Sequence, residues 1–260
     1  MKLPLLESLL LPVAFALLAN SAGAQTVTPE DRFLETAFYA EDLQFIYDPG
    51  PSIQPQLAGF NVQTVDGFGP GYVYDFCADF FTGNNDNSTF SVSSGFGGLG
   101  LSQQDDVRVL FSNALPLFND MLGDYIFANG GGWDENPLLQ NEYDALQGYA
   151  AGMQIALWEI AHEQSGDLSI DSEGPLAGSF RVGLVPPAPS NPRAEQGRLN
   201  AESFLENIRD GVWTDSGGVT YYFADAPAGE QDRLWMTIPE PSSALLGAIG
   251  FLALLRRRRI

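Results

Sequence analysis

The sequence has few residues that supply a primary amine or bind soft metals: one lysine, one histidine and one cysteine in 260 residues. The single cysteine, Cys77, excludes an intramolecular disulfide. One cysteine and one histidine, His162, argue against a zinc site, and a single histidine leaves little room for a Ser-His-Asp triad. The formal net charge of −21 repels nucleic acid phosphates, so we exclude nucleic acid as a partner.

The N-terminus is typical of an export signal. Lys2 supplies a positive charge before the apolar run Leu9–Leu18, which is too short for a comfortable membrane span. Ala22-Gly23-Ala24 then matches the small-x-small pattern that signal peptidase cleaves. We therefore expect residues 1–24 to be a signal peptide and the mature chain to begin at Gln25.

The C-terminus carries three elements in order. Pro239-Glu240-Pro241 precedes the apolar run Ala244–Leu255, which is barely long enough to cross a bilayer. Four arginines follow: Arg256, Arg257, Arg258 and Arg259. Such a cluster stays on the cytoplasmic side of a membrane. Residues 239–260 are therefore predicted to form a transmembrane tail.

This order of elements resembles the PEP-CTERM sorting signal of exported bacterial proteins. The resemblance implies that an exosortase, a membrane transpeptidase-like enzyme, recognises the tail and removes it. It also implies a Gram-negative bacterium that makes exopolysaccharide. We accordingly expect anchoring in the inner membrane before processing, and a final location at the cell surface or in the extracellular matrix.

Residues 25–238, between the two signals, suffice for one domain. They contain 7 arginines and 31 acidic residues, a net charge of −24, and no lysine. Short apolar and aromatic segments bounded by turn-forming residues predict strands. These segments are Leu43–Tyr47, Phe60–Val65, Tyr72–Phe81, Thr89–Ser93, Val219–Ala224 and Leu234–Ile238.

Helical patterns form an insertion at about 102–165 and recur at Ala194–Asp210, after a predicted extended loop, Pro186–Pro192. Pro116 is expected to divide the first helix of the insertion. Asn136 is expected to cap the second, with Pro137 at its first position. The chain is thus predicted to be α+β, a β-sheet domain with a helical insertion.

Cys77 and Gln154 are the candidate reactive residues. A period of 3.6 residues gathers an apolar stripe on the second helix, which must face the core. The stripe consists of Leu146, Tyr149, Ala150, Met153, Leu157, Ile160 and Ala161. Gln154 falls at its edge, where we expect a half-buried side chain with Trp158 one turn further on. If this helix packs on the strand that holds Cys77, the thiol can attack the Gln154 carbonyl, expel ammonia and leave a thioester.

Two motifs here resemble those of the Cys-Gln thioester domains of bacterial surface adhesins. Phe76-Cys77-Ala78-Asp79 matches their sequence of aromatic residue, cysteine, apolar residue and acid. Gln154-Ile155-Ala156-Leu157-Trp158 matches glutamine, apolar residue, alanine, apolar residue and tryptophan. That family commonly has threonine before the glutamine, where this chain has Met153. The resemblance covers Leu43 to about Ile238, although only the two motifs are specific.

The resemblance implies a β-barrel or β-sandwich with a helical subdomain. It implies a Cys77–Gln154 thioester, with Phe76, Asp79, Ala156 and Trp158 in support. Such a protein is a single-use acyl donor rather than a turnover enzyme and needs no cofactor or metal. Its partner would be an amine or hydroxyl on a surface protein or exopolysaccharide, in adhesion or biofilm attachment.

Other interpretations remain open on the sequence alone. Cys77 could be an inert buried residue, and Gln154 a helix residue that only forms hydrogen bonds. A non-covalent carbohydrate-binding protein would use aromatic side chains such as Trp133, Trp213 and Trp235. A hydrolase with paired carboxylates is a third class, although 31 acids make some pair inevitable. The alternating residues Asp167, Ser169, Asp171 and Glu173 lack the glycine of a calcium loop and predict an acidic loop instead.

Overall fold

The computed structural model describes residues 24–47, 53–68, 71–78, 87–163, 168–170, 180–184 and 191–238. Eight strands lie in these ranges: β1 Gln25–Val27, β2 Arg32–Tyr47, β3 Ile53–Val65, β4 Val73–Cys77, β5 Phe90–Ser94, β6 Phe180–Leu184, β7 Thr220–Asp225 and β8 Arg233–Thr237. The α-helices are α1 Leu101–Ala128, α2 Gln140–His162 and α3 Pro192–Arg209. Short 3-10 turns, Pro29–Asp31 and Pro137–Leu139, precede β2 and α2.

The strands form one sheet in the order β1-β5-β7-β8-β4-β3-β2-β6, and neighbouring strands pair antiparallel. Four strands separate β5 from β2, which corresponds to about 24 Å in a flat sheet. Yet the guanidinium of Arg32 in β2 lies 4.9 Å from the ring centroid of Phe90 in β5. The sheet is therefore strongly curled, while its hydrogen bonding stays open across the described strands.

The two faces of the sheet bury different cores. On the helix side, the Tyr74 hydroxyl donates to Oδ1 of Asn119 in α1 at 2.8 Å, and Phe76 packs against Phe111 of α1 with ring centroids 4.7 Å apart. The other face buries a smaller apolar cluster of Val27, Val65, Val73, Phe90, Val92, Ala224 and Trp235. Because side chains alternate along a strand, Asp75 and Cys77 are directed to this second face. Cys77, at the strand end, also touches the larger core.

Helix α1 is continuous through Pro116, so the prediction that this proline divides the helix is wrong. Proline has no N–H to donate to the carbonyl four residues earlier, that of Ser112. The Ser216 hydroxyl donates to that carbonyl at 3.0 Å, and the Ser216 N–H donates to the Ser112 hydroxyl at 3.2 Å. The segment before β7 thus satisfies the acceptor that the proline leaves open.

Helix α2 is buried on all sides from Ala150 to Ile160, between the sheet, α1 and α3. Its small residues allow α3 to approach closely. A Cβ on Gly152 would lie 2.6 Å from Cβ of Asn200 and 3.2 Å from the carbonyl oxygen of Gly197. The apolar stripe is therefore only one of two buried sides, and the expectation of a half-buried Gln154 is wrong: the residue is 0% exposed.

The α+β prediction is confirmed, and α1 and α2 occupy the predicted insertion. A barrel closed by hydrogen bonds or a sandwich of two sheets is not what the described residues form; they form one open, curled sheet. Pro192 does not belong to an extended loop, because it is the first residue of α3, where the Asn191 side chain accepts from the N–H of Arg193 at 3.1 Å.

Within the described ranges, no helix combines the length and apolarity needed to cross a membrane. The predicted signal peptide, apart from Ala24, and the predicted tail lie outside those ranges.

Candidate functional site

Cys77 ends β4 at a point where only one neighbouring strand continues beside it. On the β8 side, the N–H of Ala78 donates to the carbonyl of Asp232 at 2.9 Å. On the β3 side, the last register pair is Phe60 with Phe76. Because successive residues of a strand direct their peptide groups to opposite sides, the N–H and C=O of Cys77 point to the side that β3 has left.

The side-chain amide of Gln154 occupies that side. The Cys77 N–H donates to Oε1 of Gln154 at 2.9 Å, and Nε2 of Gln154 donates to the Cys77 carbonyl oxygen at 2.9 Å. The carboxamide thus pairs with Cys77 as a peptide group of a neighbouring strand would. The structure therefore brings together the cysteine and the glutamine that the sequence analysis singled out, one at the end of a strand and the other on a helix.

A second polar group contacts Cys77 from β8. Arg233 is the register partner of Cys77, and its Nη1 donates to the Cys77 sulfur at 3.4 Å. The same nitrogen lies 3.6 Å from Oδ1 of Asp75, and both charged side chains are about 1% exposed. Asp75 also accepts from Nε1 of Trp235 at 3.0 Å and from Nε2 of Gln63 at 3.4 Å. The sequence analysis missed this cluster, whose only local signal is that Asp75 and Cys77 alternate on one strand.

A mostly apolar cleft of about 160 Å³ lies beside these residues. Its lining comes from the chain neighbours of Cys77 and Arg233, the C-terminal part of α2, strand β7 and the loop before α1: Ala78, Phe96, Gly98, Leu99, Leu157, Ala161, His162, Phe223, Asp232 and Leu234. Pockets that hold whole small molecules are typically about 300–1,000 Å³. This cleft therefore suits a single slender side chain or chain end. His162 is half-buried at the C-terminus of α2.

The described supporting residues of the two motifs, Phe76, Ala156 and Trp158, are buried in the apolar core. Phe76 is fully buried and stacks on Phe60 with ring centroids 4.3 Å apart. Ala156 is fully buried on α2, and Trp158 packs edge-on against Phe45 at 5.3 Å. Asp79 lies outside the described residues, as do Pro239, Glu240, Pro241 and Arg256–Arg259.

The three tryptophans considered for carbohydrate binding lie in different settings. Trp235 is fully buried, so its proposed role as a surface contact is wrong. Trp133 is half-buried and packs edge-on against Tyr72 at 5.2 Å, with Tyr72 39% exposed. Trp213, also half-buried, stacks on Phe204 at 5.4 Å.

A buried carboxyl lies further along α2. Glu159 is 0% exposed, and burial, with smaller effects of Glu163 and Glu202, raises its pKa to about 9. Its Oε1 accepts from the N–H of Ser169 at 3.0 Å, while Glu202 accepts from the Ser169 hydroxyl at 3.1 Å. Glu159 is therefore protonated at neutral pH. The rest of the predicted acidic loop, Asp167, Asp171 and Glu173, lies outside the described residues.

Scans against protein-family models, curated proteins and solved structures found no match to this chain.

Proposed function

We propose that this chain is an exported surface protein whose Cys77 and Gln154 form an internal thioester that acylates an amine or hydroxyl on a partner. The observation that carries the proposal is the pair of 2.9 Å hydrogen bonds between the Gln154 carboxamide and the Cys77 backbone. They hold an acyl group on the residue that bears the chain's only thiol. The proposed role is adhesion or attachment within a biofilm.

The same hydrogen bonds that position the Gln154 carboxamide also stabilise the charge that develops when the thioester forms. When sulfur adds to the carbonyl carbon of Gln154, negative charge develops on Oε1. The Cys77 N–H already donates to that oxygen at 2.9 Å and so acts as an oxyanion donor. The amide lies edge-on in the sheet, whereas the Cys77 side chain projects from the sheet face. The sulfur can therefore approach the face of the carbonyl, the direction that addition requires.

Formation of the thioester needs no reactant other than the Cys77 thiol and the Gln154 carboxamide. The thiol proton is lost, the S–Cδ bond forms, the Cδ–Nε2 bond breaks, and nitrogen leaves as ammonia with the proton. In the transfer step, an amine or hydroxyl adds to the same carbon, and the sulfur departs as thiolate. The product is an amide or ester on the glutamyl carbon, so each molecule reacts once and is not a turnover enzyme.

The cleft supports an acceptor of limited width. Two lining residues are close in the chain to the reactive pair: Leu157 is three residues beyond Gln154 on α2, and Ala78 follows Cys77. Its apolar walls would hold the carbon chain that carries the attacking atom. The strong negative charge of the chain draws cationic partners towards it.

Incorporation of a labelled primary amine tests the proposal. The purified domain should take up one methylamine at Gln154, located by mass spectrometry of peptides. Cys77→Ala and Gln154→Ala should abolish uptake. Gln147→Ala is the matched control, because Gln147 is also a buried glutamine of α2, 4% exposed. Equal labelling of Cys77→Ala and the native domain would contradict the proposal.

A non-covalent carbohydrate-binding function is the second candidate. The Tyr72–Trp133 pair favours it, because Tyr72 is partly exposed and precedes β4, at the opposite end from Cys77. Exopolysaccharide binding that survives Cys77→Ala but is lost in Trp133→Ala would support this alternative.

A further inference from the structure

We propose that Arg233 is a catalytic residue of the thioester reaction, one that stabilises Cys77 as a thiolate, both as the attacking nucleophile and as the leaving group. This inference rests on the proposed function for its biological meaning. Its physical content, a thiol whose ionisation is favoured by a buried arginine, can be measured without a thioester.

The contact is direct and fixed by the sheet. Arg233 and Cys77 are register partners in β8 and β4, so their side chains project from the same face. Arg233 Nη1 donates to the sulfur at 3.4 Å. The guanidinium is about 1% exposed, so water screens its charge poorly and the interaction with a thiolate is strengthened. An arginine beside a cysteine lowers the pKa of the thiol for this reason.

Asp75 explains how an arginine is kept in this interior. Its carboxylate lies 3.6 Å from Nη1 of Arg233 and is itself held by the indole N–H of Trp235 and the amide of Gln63. The cluster otherwise borders apolar residues such as Val73. A buried ion pair costs desolvation and is often no more stable than apolar residues of similar volume. Stabilisation of the thiolate accounts for a buried ion pair that contributes little to the stability of the fold.

Within the part of the chain that the structure describes, the charges around the sulfur come from few elements. Asp75 on β4 opposes ionisation of Cys77, and Arg233 on β8 favours it. Asp232, before β8, and His162, at the end of α2, line the adjoining cleft. Gln154 on α2 and Gln63 on β3 are uncharged. Among the described residues, Arg233 is the cation in contact with the sulfur. Its Nη1 contacts both the Cys77 sulfur and the Asp75 carboxylate.

Arg233 acts in both steps, thioester formation and transfer to the acceptor, because in each step the sulfur carries a negative charge. Before ring closure, Arg233 favours the thiolate that attacks Cδ of Gln154. During transfer, the acceptor adds to Cδ, the C–S bond breaks, and its electron pair returns to sulfur, 3.4 Å from the same guanidinium. The acceptor's proton goes to water or to the thiolate, and no oxidant or reductant is needed.

The test uses a background in which the thiol cannot be acylated, Gln154→Ala. The rate of alkylation by iodoacetamide is measured against pH, and its midpoint reports ionisation of Cys77. Adding Arg233→Gln should raise the midpoint by about one pH unit or more. Arg233→Lys, which retains a charge but not the fork of donors, should give an intermediate value. Midpoints that do not differ among the three proteins overturn the proposal.

Asp75→Asn in the same background provides a second arm that does not depend on the folding of Arg233→Gln. Asparagine keeps an oxygen acceptor for Trp235 but releases the guanidinium to the sulfur, so the midpoint should fall. An unchanged or higher midpoint overturns the proposal. A pair that acted only on folding, with no electrostatic effect on the sulfur, would not shift the midpoint in opposite directions in the Arg233 and Asp75 variants.

The two proposals fail separately. If the native domain has its full calculated mass but the alkylation midpoints shift as expected, the thioester function fails and the arginine–thiolate contact stands. If ammonia is lost but the midpoints do not move, the thioester stands without help from Arg233. With Gln154 intact, Arg233→Gln should also slow the appearance of the ammonia-depleted form during refolding.

Discussion

The carboxamide of Gln154 pairs with the backbone of Cys77 through two hydrogen bonds of 2.9 Å, across 77 positions of sequence. The glutamine thus takes the place of a peptide group in the sheet, beside the backbone of the residue that bears the thiol. Full burial of Gln154 makes this pairing costly to break, because an unsatisfied buried amide is penalised by about 1–3 kcal/mol. The fit of α2 against its neighbours therefore sets the geometry of the site.

The close approach of α2 and α3 predicts a sensitive position at Gly152. A Cβ there would lie 2.6 Å from Cβ of Asn200 and 3.2 Å from the backbone nitrogen of Ala201. Gly152→Ala should lower the free energy of unfolding by about 1–3 kcal/mol and reduce the thioester fraction, because α2 must shift. Gly123→Ala is the control: nothing lies within 4 Å of that Cβ, so the change should be neutral or slightly stabilising. Urea denaturation measures both, and equal effects would contradict the packing argument.

Glu159 predicts a pH dependence of stability. Burial raises the pKa of its carboxyl from 4.5 to about 9, so between these values the folded state holds a proton that the unfolded state has released. This contribution is fully present below about pH 4.5 and is lost as the pH rises towards 9, with a slope of at most about 1.4 kcal/mol per pH unit. Glu159→Gln should remove it and so become more stable than the native domain at alkaline pH. A stability difference that does not change with pH would contradict the prediction.

Residues 25–238 contain no lysine. We expect that a lysine placed near the thioester would react with it and abolish its reactivity towards other amines. Salt adaptation explains the same depletion, so a direct test is needed. Gly98 lines the cleft, and a Cβ there meets nothing within 4 Å. Gly98→Lys should lose the amine-reactive fraction over time, because an ammonium that sheds its proton can attack from within. Gly98→Arg, which stays protonated, is the matched control. Equal decay in the two variants would favour salt adaptation.

The predicted tail lies outside the described residues, so localisation is the relevant measurement. Deletion of Arg256–Ile260 should disturb sorting or anchoring while the domain at 25–238 keeps the thermal stability of the native protein. Replacement of the four arginines by lysines retains the charge and serves as the control for membrane topology. Cell fractionation that finds the truncated protein in its usual location would contradict the sorting role.

Sequence reasoning located the helices and most strands, because their signals are local, such as the apolar periodicity of α2. It misplaced the start of α2, because Asn136 caps the 3-10 turn Pro137–Leu139 and α2 begins at Gln140. It underestimated β2, whose pairing with β3 is interrupted by register shifts, with a positive φ of 66° at Asp42 between Ala40 and Leu43. Strands β1 and β6 were not predicted. They are the two edge strands of the described sheet, and each pairs with only one strand, which is distant in the sequence.

The residues of the candidate site also differ in how far the sequence predicts them. Cys77 and Gln154 carry recognisable motifs, and their contact follows from packing a helix on a strand. Arg233 has no such signal, because its approach to the sulfur depends on pairing between β4 and β8 across 156 positions. The full burial of Gln154 likewise depends on a distant segment, because its side chain lies against the backbone of Cys77 in β4.

The intact mass of the purified domain, prepared gently and without amines, tests the central claim most directly. The native protein should weigh one ammonia less than its sequence requires and should show no titratable thiol. Cys77→Ala and Gln154→Ala should each have the full mass calculated for their own sequences. A native domain with its full calculated mass and a free Cys77 thiol would contradict the thioester and leave the two hydrogen bonds with a purely structural role.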